Sequence, residues 1–289
     1  GTRRRARIDF RRRVRGVCPT AGYGGIRLSR RVDLEGDLDS FDRGVRLGRD
    51  VLLAGDVTTS GTGRVRRGSR VTGDVAAGLD LRLGRQVTVD GDARAAGQVT
   101  THSSTTVTGA SQSGAPAPTF PAILTVTPTF AGGGPDVTVA RNATRTLAPG
   151  SYGDLETADG ATLELSSGHY RFTDVDIGRD NRVHLDLSAG PIIVDSDDRL
   201  RMRKRTRMEI TSAGGDAGDV LIQIGGSRRV VLGKGGRYLG TFLGFDSDLK
   251  LGRWAILEGA FYGREANART GSEVIFNPAV EPFISLYLP

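Results

Sequence analysis

Val32-Asp33-Leu34-Glu35-Gly36-Asp37, Val51-Leu52-Leu53-Ala54-Gly55-Asp56, Val71-Thr72-Gly73-Asp74-Val75 and Val87-Thr88-Val89-Asp90-Gly91-Asp92 are one phrase repeated. A short apolar segment runs into a Gly-Asp pair, and another segment follows it. A fifth, degenerate copy is Gly109-Ala110. From Gly36 through Gly55, Gly73, Gly91 and Gly109 the interval is constant to within one position. A second marker stands seven positions earlier, as Leu47-Gly48-Arg49-Asp50 and Leu83-Gly84-Arg85-Gln86. It returns downstream as Ile177-Gly178-Arg179-Asp180, Leu232-Gly233-Lys234 and Leu251-Gly252-Arg253-Trp254. Gly233 to Gly252 repeats the interval from Gly36 to Gly55, and so does Gly240 to Gly259. The two halves share one grammar.

A fixed period of this length, with short alternating strands and glycine corners, is the signature of a β-solenoid. Each coil supplies two or three strands that pair in parallel with those of the next coil. Apolar side chains point into the tube, and Gly36, Gly55, Gly73, Gly91, Gly109, Gly233, Gly240, Gly252 and Gly259 are read as its structural corners. A β-sandwich also has closely spaced short strands, but it does not need turn residues in register over five repeats. The expected class is therefore all-β, a parallel β-helix in two segments.

Composition agrees. The 289 residues hold 42 glycines, and Asp outnumbers Glu by 25 to eight. Arginine outnumbers lysine by 37 to three. Glu, Lys and Met favour helices and are scarce, which argues against a helical bundle or a doubly wound fold. A hydrophobic content of 37% is enough for a core. The single Cys18 excludes an intramolecular disulfide framework and a cysteine-built zinc site. No apolar run is long enough to span a membrane as a helix.

The composition changes between the halves. Pro116, Pro118, Pro121, Pro128 and Pro135 fall around Gly132-Gly133-Gly134, and proline neither donates to a ladder nor continues one. The expected organisation is a basic arm over 1–23, a first solenoid over 24–110 and a linker or crossover over 111–140. A second solenoid over 141–280 and an apolar tail over 281–289 complete it.

The block Val45-Arg46-Leu47-Gly48, Gly55-Asp56-Val57 and Val71-Thr72-Gly73-Asp74-Val75 resembles the bactofilins, bacterial cytoskeletal solenoids that polymerise end to end. The run that includes Leu147-Ala148-Pro149-Gly150-Ser151-Tyr152, Gly168-His169-Tyr170 and Gly259-Ala260-Phe261-Tyr262-Gly263 is similar to an uncharacterised domain of bacterial surface or pilus-associated proteins. Both resemblances imply a solenoid without catalytic residues. The two-part layout with a proline-rich linker departs from the bactofilin pattern, which is usually one cytosolic solenoid with short tails.

Solenoids also occur as polysaccharide lyases and hydrolases, so the carboxylates matter. Asp195, Asp197 and Asp198, with Asp174 and Asp176 a coil away, are the candidates for paired acid and base. The hydrolase order of motifs is missing, however, and polar corners account for these residues. For the aspartates after glycine, the competing readings are calcium ligation and an Asx-type turn within each coil; no calcium-binding nonapeptide repeat occurs. His102, His169 and His184 show no metal spacing. No cofactor and no metal site is expected.

The net charge of +7 is clustered. Arg3, Arg4, Arg5, Arg7, Arg11, Arg12, Arg13 and Arg15 form one group, and Arg201, Arg203, Lys204 and Arg205 a second. Either group could bind a polyanion, an acidic polysaccharide or a nucleic acid, through carboxylate or phosphate contacts. Either could equally serve assembly, the arm as a strand added to a neighbour and the second cluster as the solvated face of a coil with Leu200, Met202 and Met208 inward. End coils expose unpaired backbone groups, and no capping helix is evident. The leading expectation is a non-enzymatic bacterial structural protein that assembles with copies of itself into an extracellular or cell-surface fibre. A polyanion-binding adhesin is the alternative, and a polysaccharide lyase or hydrolase the third.

Overall fold

The structure is a computed structural model that describes residues 20–40, 43–120 and 133–277. The basic arm from Arg3 to Arg15, Cys18 and the tail over 281–289 lie outside the described residues. The chain is an all-β parallel solenoid of about 12 turns, and its one helical element among the described residues is the 3-10 turn Ala217–Asp219.

One coil shows the plan. Val45–Leu47 forms the first face, Leu52–Ala54 the second and Val57–Thr59 the third, before Gly63–Val65 begins the next coil. Each strand pairs in parallel with its counterpart one period away: Val45 with Gly63, Leu53 with Val71, Val57 with Val75. Alternation turns Val45, Leu47, Leu53 and Val57 inward, where all are buried. The downstream half fills its core with Tyr170, Phe172, Tyr238 and Phe242. Tyr170 and Phe172 stack with centroids 6.5 Å apart. The Tyr238 hydroxyl donates to the Gly233 carbonyl at 3.2 Å, and burial pushes its pKa up. Leu200, Met202 and Met208 are buried in the same core.

The order of coils in space is not their order in the chain. The strand Thr20–Leu28 pairs in parallel with Ile256–Ala268, setting Ile26 beside Ala266 and Leu28 beside Ala268. Asp33–Glu35 likewise lies on Glu273–Phe276. On its other side Thr20–Leu28 pairs with Leu38–Ser40 and Val45–Leu47. The column therefore begins with Val137–Val139, rises through the downstream half, and continues into Thr20 and up to Ser111–Ser113. About twelve coils at ~4.8 Å make the column roughly 55 Å long.

The Gly-Asp repeat has a cause different from a local turn. Asp37 Oδ1 accepts the Asp56 N–H, Asp56 Oδ1 that of Asp74, and Asp74 Oδ1 that of Asp92, each at 2.8 Å. Asp92 Oδ1 accepts from Ala110 at 2.7 Å. The carboxylate thus bonds to the next coil and crosses the glycine there. A Cβ on Gly73 would stand 1.9 Å from Asp56 Oδ1, and one on Gly91 2.2 Å from Asp74 Oδ1. A Cβ on Gly109 would meet Asp92 Oδ1 at 2.1 Å, and one on Gly55 the Gly36 carbonyl at 2.4 Å. Close approach, not positive φ, fixes these glycines. Gly233 and Gly252 lie equally close to the coil beneath, against Arg203 and Gly233. Gly36 does have positive φ. Gly240 and Gly259 also have positive φ, but they sit inside the strands Arg237–Leu251 and Ile256–Ala268 and not at turns.

Candidate polyanion-binding face

The corner between the first and second faces is built the same way in coil after coil. One residue there adopts a left-handed conformation, and only some of these are glycine: φ lies between 55° and 60° at Arg31, Asp50, Gln86, Asn142, Asp180, Arg205 and Trp254. Gly68, Gly160, Gly235 and Gly271 take the same place in other coils. The left-handed residue donates its N–H to the residue before its counterpart in the next coil. Asp180 donates to the Lys204 carbonyl, Arg205 to Lys234, Gly235 to Arg253 and Trp254 to Thr270. Gly271 donates to both Arg31 at 2.9 Å and Arg30 at 3.2 Å, Arg31 to Arg49, Asp50 to Arg67 and Gly68 to Arg85.

These bonds, with Gly160 to Arg179, stack Arg179, Lys204, Lys234, Arg253, Thr270, Arg30, Arg49, Arg67 and Arg85 in one column. Eight of these nine consecutive corners carry a cation, and all eight are exposed. At ~4.8 Å per coil the column is about 38 Å long. A second row runs beside it on the first face, three positions earlier in each coil. There Lys250 pairs with Asn267, Asn267 with Arg27, Arg27 with Arg46, Arg46 with Arg64 and Arg64 with Arg82. A cleft of about 400 Å³ opens on this face, lined by Arg27, Arg43, Arg46, Arg64 and Arg82 together with Asp80 and Glu265.

Among the described residues no carboxylate forms an ion pair with any cation of either row. Arg67 Nε donates to Gln86 Oε1 and Arg85 Nε to His102 Nε2, both at 3.0 Å. Like charge crowds the rows. Desolvation and then the guanidiniums of Arg66, Arg27 and Arg64 push the pKa of Arg46 down. Lys250 is pushed down by desolvation and by Arg269 and Arg229.

The second cationic cluster read from the sequence is different. Arg203 forms a two-bond fork on the buried Asp176, both bonds at 3.0 Å, and Arg201 stands 4.0 Å from the same carboxylate. Arg205 pairs with Asp180, whose carboxyl is held below its ordinary range by that bond. Of this group, Lys204 alone belongs to the corner column. Arg27, Arg46, Arg64 and Arg82 escape a reading of charge density because they are scattered along the chain. Their signal is Ile26-Arg27-Leu28, Val45-Arg46-Leu47, Gly63-Arg64-Val65 and Leu81-Arg82-Leu83, spaced at the same interval as the glycines. The corner column is visible in the sequence as the Leu-Gly-Arg marker, in which the glycine and not the arginine draws the eye.

Of the carboxylates that could have served hydrolysis, Asp174, Asp176, Asp195 and Asp198 are tied to cations. Asp195 is buried with His169 on one oxygen and Arg171 at 3.8 Å. Asp174 pairs with Arg199 at 3.1 Å and Asp198 with Arg228 at 3.0 Å. Among the described residues no three His, Cys, Asp or Glu side chains are grouped to hold a metal ion. No helix among them is long and apolar enough to cross a membrane.

No protein-family model matches the chain, so neither the bactofilin nor the pilus-associated resemblance gains support there. No curated protein matches it. Among solved structures, an ice-binding protein from an Antarctic Flavobacteriaceae bacterium is similar at 11% identity and a TM-score of 0.33, covering 91% of this chain and 81% of its own.

Proposed function

We propose that this protein is a non-enzymatic β-solenoid that binds a long polyanion along its basic corner, at a bacterial surface or outside the cell. The observation that carries this reading is the column from Arg179 to Arg85, eight exposed cations on nine successive coils with no ion pair among the described residues. Unpaired like charges held at a fixed spacing cost the folded state repulsion that a polyanion relieves. Arginine is suited to the task because its planar fork meets carboxylate, sulfate and phosphate with two parallel bonds. The test is titration with polyphosphate at rising salt, comparing the natural chain with Arg49→Glu/Arg67→Glu. Binding that weakens steeply with salt and is lost in the double variant is the expected result. Binding indifferent to both would overturn the reading.

Fibre formation is a second reading, favoured by the ends of the column. Val99–Thr101, Thr106–Val107 and Ser111–Ser113 each pair on one side alone among the described residues, as do Val137–Val139 and Thr144–Leu147. Stacking one end on the other in a second copy would continue every parallel ladder, and an open contact of that kind propagates. Size-exclusion chromatography across concentration, with electron microscopy, tests it. A strictly monomeric profile would exclude it.

A further inference from the structure

We infer that the polyanion is an acidic polysaccharide, and that one of its sugar rings stacks on Trp254; this rests on the polyanion reading above. Trp254 stands in the corner column directly after Arg253 and is 55% exposed. Among the described residues the other exposed large hydrophobics are Leu52 and Leu79, so Trp254 is the exposed aromatic of the set. An exposed tryptophan held at φ 59° is an expensive choice for a corner that glycine fills in neighbouring coils.

The corner keeps the ring in a defined place. A Cβ on Gly271, one coil further along, would stand 2.1 Å from Cε3 and 2.2 Å from Cζ3 of the indole, so the ring occupies the space that Gly271 leaves empty. Gly235, the counterpart on the preceding coil, adds no side chain either. The indole is therefore an apolar platform within a cationic ridge, with Lys234 one coil before it, Arg253 beside it on the same coil, and Arg30 and Arg31 two coils beyond.

Two features favour a sugar polymer over a nucleic acid. Proteins that hold single strands stack successive bases on a series of aromatic side chains, whereas this ridge offers one ring in nine coils. The ridge also presents one cation per coil at every corner but Thr270, a spacing of ~4.8 Å, close to the length of one pyranose unit in an extended chain. A polymer with an acidic group on each sugar would keep step with the arginines. The phosphates of a duplex wind around its axis instead of advancing along one line.

The experiment uses the full chain, in which Trp254 is the one tryptophan, so its emission reports on this site alone. The probes are polygalacturonate, polyphosphate and oligothymidylate, each titrated while binding is followed separately by calorimetry. Polygalacturonate is expected to change the emission, and polyphosphate to bind without changing it. Trp254→Gly suits the left-handed corner and keeps the fold; it is expected to weaken polygalacturonate binding at least about fivefold, the low end for loss of ring stacking, with polyphosphate binding intact. Trp254→Tyr is expected to restore most of the loss. Polygalacturonate that binds with no change in emission, or equally well to Trp254→Gly, overturns the inference. So does oligothymidylate binding tighter than polygalacturonate, which would assign the ridge to single-stranded nucleic acid. If none of the three probes binds, the polyanion reading itself fails.

Discussion

Asp33 lies beside Glu273, in register on adjacent parallel strands, at the rung where the first described coil of the chain meets the last. Like charges placed directly opposite on neighbouring strands destabilise a sheet. Desolvation raises the pKa of both carboxyls, and the Asp33 charge raises that of Glu273 further. A carboxyl whose pKa is raised by folding contributes stability below its unfolded pKa and loses it as pH rises through the folded value. The junction should therefore be tightest on the acid side and loosen toward neutrality. Glu273→Gln removes one charge and is expected to tighten the junction at neutral pH by about 0.2–1 kcal/mol. Hydrogen exchange at Asp33, whose N–H donates to the Ser272 carbonyl, measures it. Faster exchange in the variant at neutral pH would refute the argument.

The Asp ladder makes a pair of opposed predictions. Gly73→Ala places a methyl where Asp56 Oδ1 sits, so the carboxylate must leave the Asp74 N–H. Overpacking of this kind costs about 1–3 kcal/mol, read as a lower denaturation midpoint. Asp74→Asn keeps an acceptor for Asp92 and removes a charge from a crowded column. Desolvation raises the Asp56 pKa, the bond from the Asp74 N–H partly offsets this, and the Asp37 and Asp74 charges raise it further. Asp74→Asn should leave stability unchanged or improve it, whereas Asp74→Ala should cost about 1 kcal/mol for the lost bond. Equal losses in the two Asp74 variants would show that the charge, not the acceptor, matters.

The constant interval from Gly36 to Gly109 makes the solenoid legible, because a coil that repeats in space must repeat in sequence. What it could not reveal is the stacking order. Parallel coils with Val, Leu and Ala inside are interchangeable at their ends, so nothing local to Ile26 announces that its neighbour is Ala266. The cationic face is hidden for a related reason. Arg27, Arg46, Arg64 and Arg82 each look like an ordinary outward residue, and register alone collects them into a row. The dense run from Arg201 to Arg205 is conspicuous, yet Asp176 and Asp180 sit one coil below Arg201 and Arg205 and pair with that run. Linear density of charge overstates one site and misses the other.

The left-handed corner predicts its own variants. Gln86 holds φ at 55°, a conformation that costs most residues about 1–2 kcal/mol and glycine little. Gln86→Gly should raise stability by up to about 1 kcal/mol, even though Arg67 loses its bond to Gln86 Oε1. Gln86→Val, branched at Cβ, should lower it by at least about 1 kcal/mol. Chemical denaturation with an unchanged slope separates the two, and a destabilised glycine variant would disprove the strain argument.

Arg203 and Arg67 should respond to truncation in opposite ways. Arg203 forks onto Asp176, whose side chain is only 11% exposed, so Arg203→Ala leaves a buried carboxylate without its main partner. That should cost about 1–3 kcal/mol of stability and leave polyphosphate binding nearly unchanged. Arg67 is exposed and bonds to a neutral amide. Arg67→Ala should alter stability by no more than about 0.5 kcal/mol. It should, however, reduce the slope of log affinity against log salt by roughly one, as expected for the loss of one cation contacting the polymer. Thermal melts and salt-dependent titrations on the same two variants decide the matter. If Arg203→Ala weakens binding as much as Arg67→Ala does, the polymer does not follow the corner column.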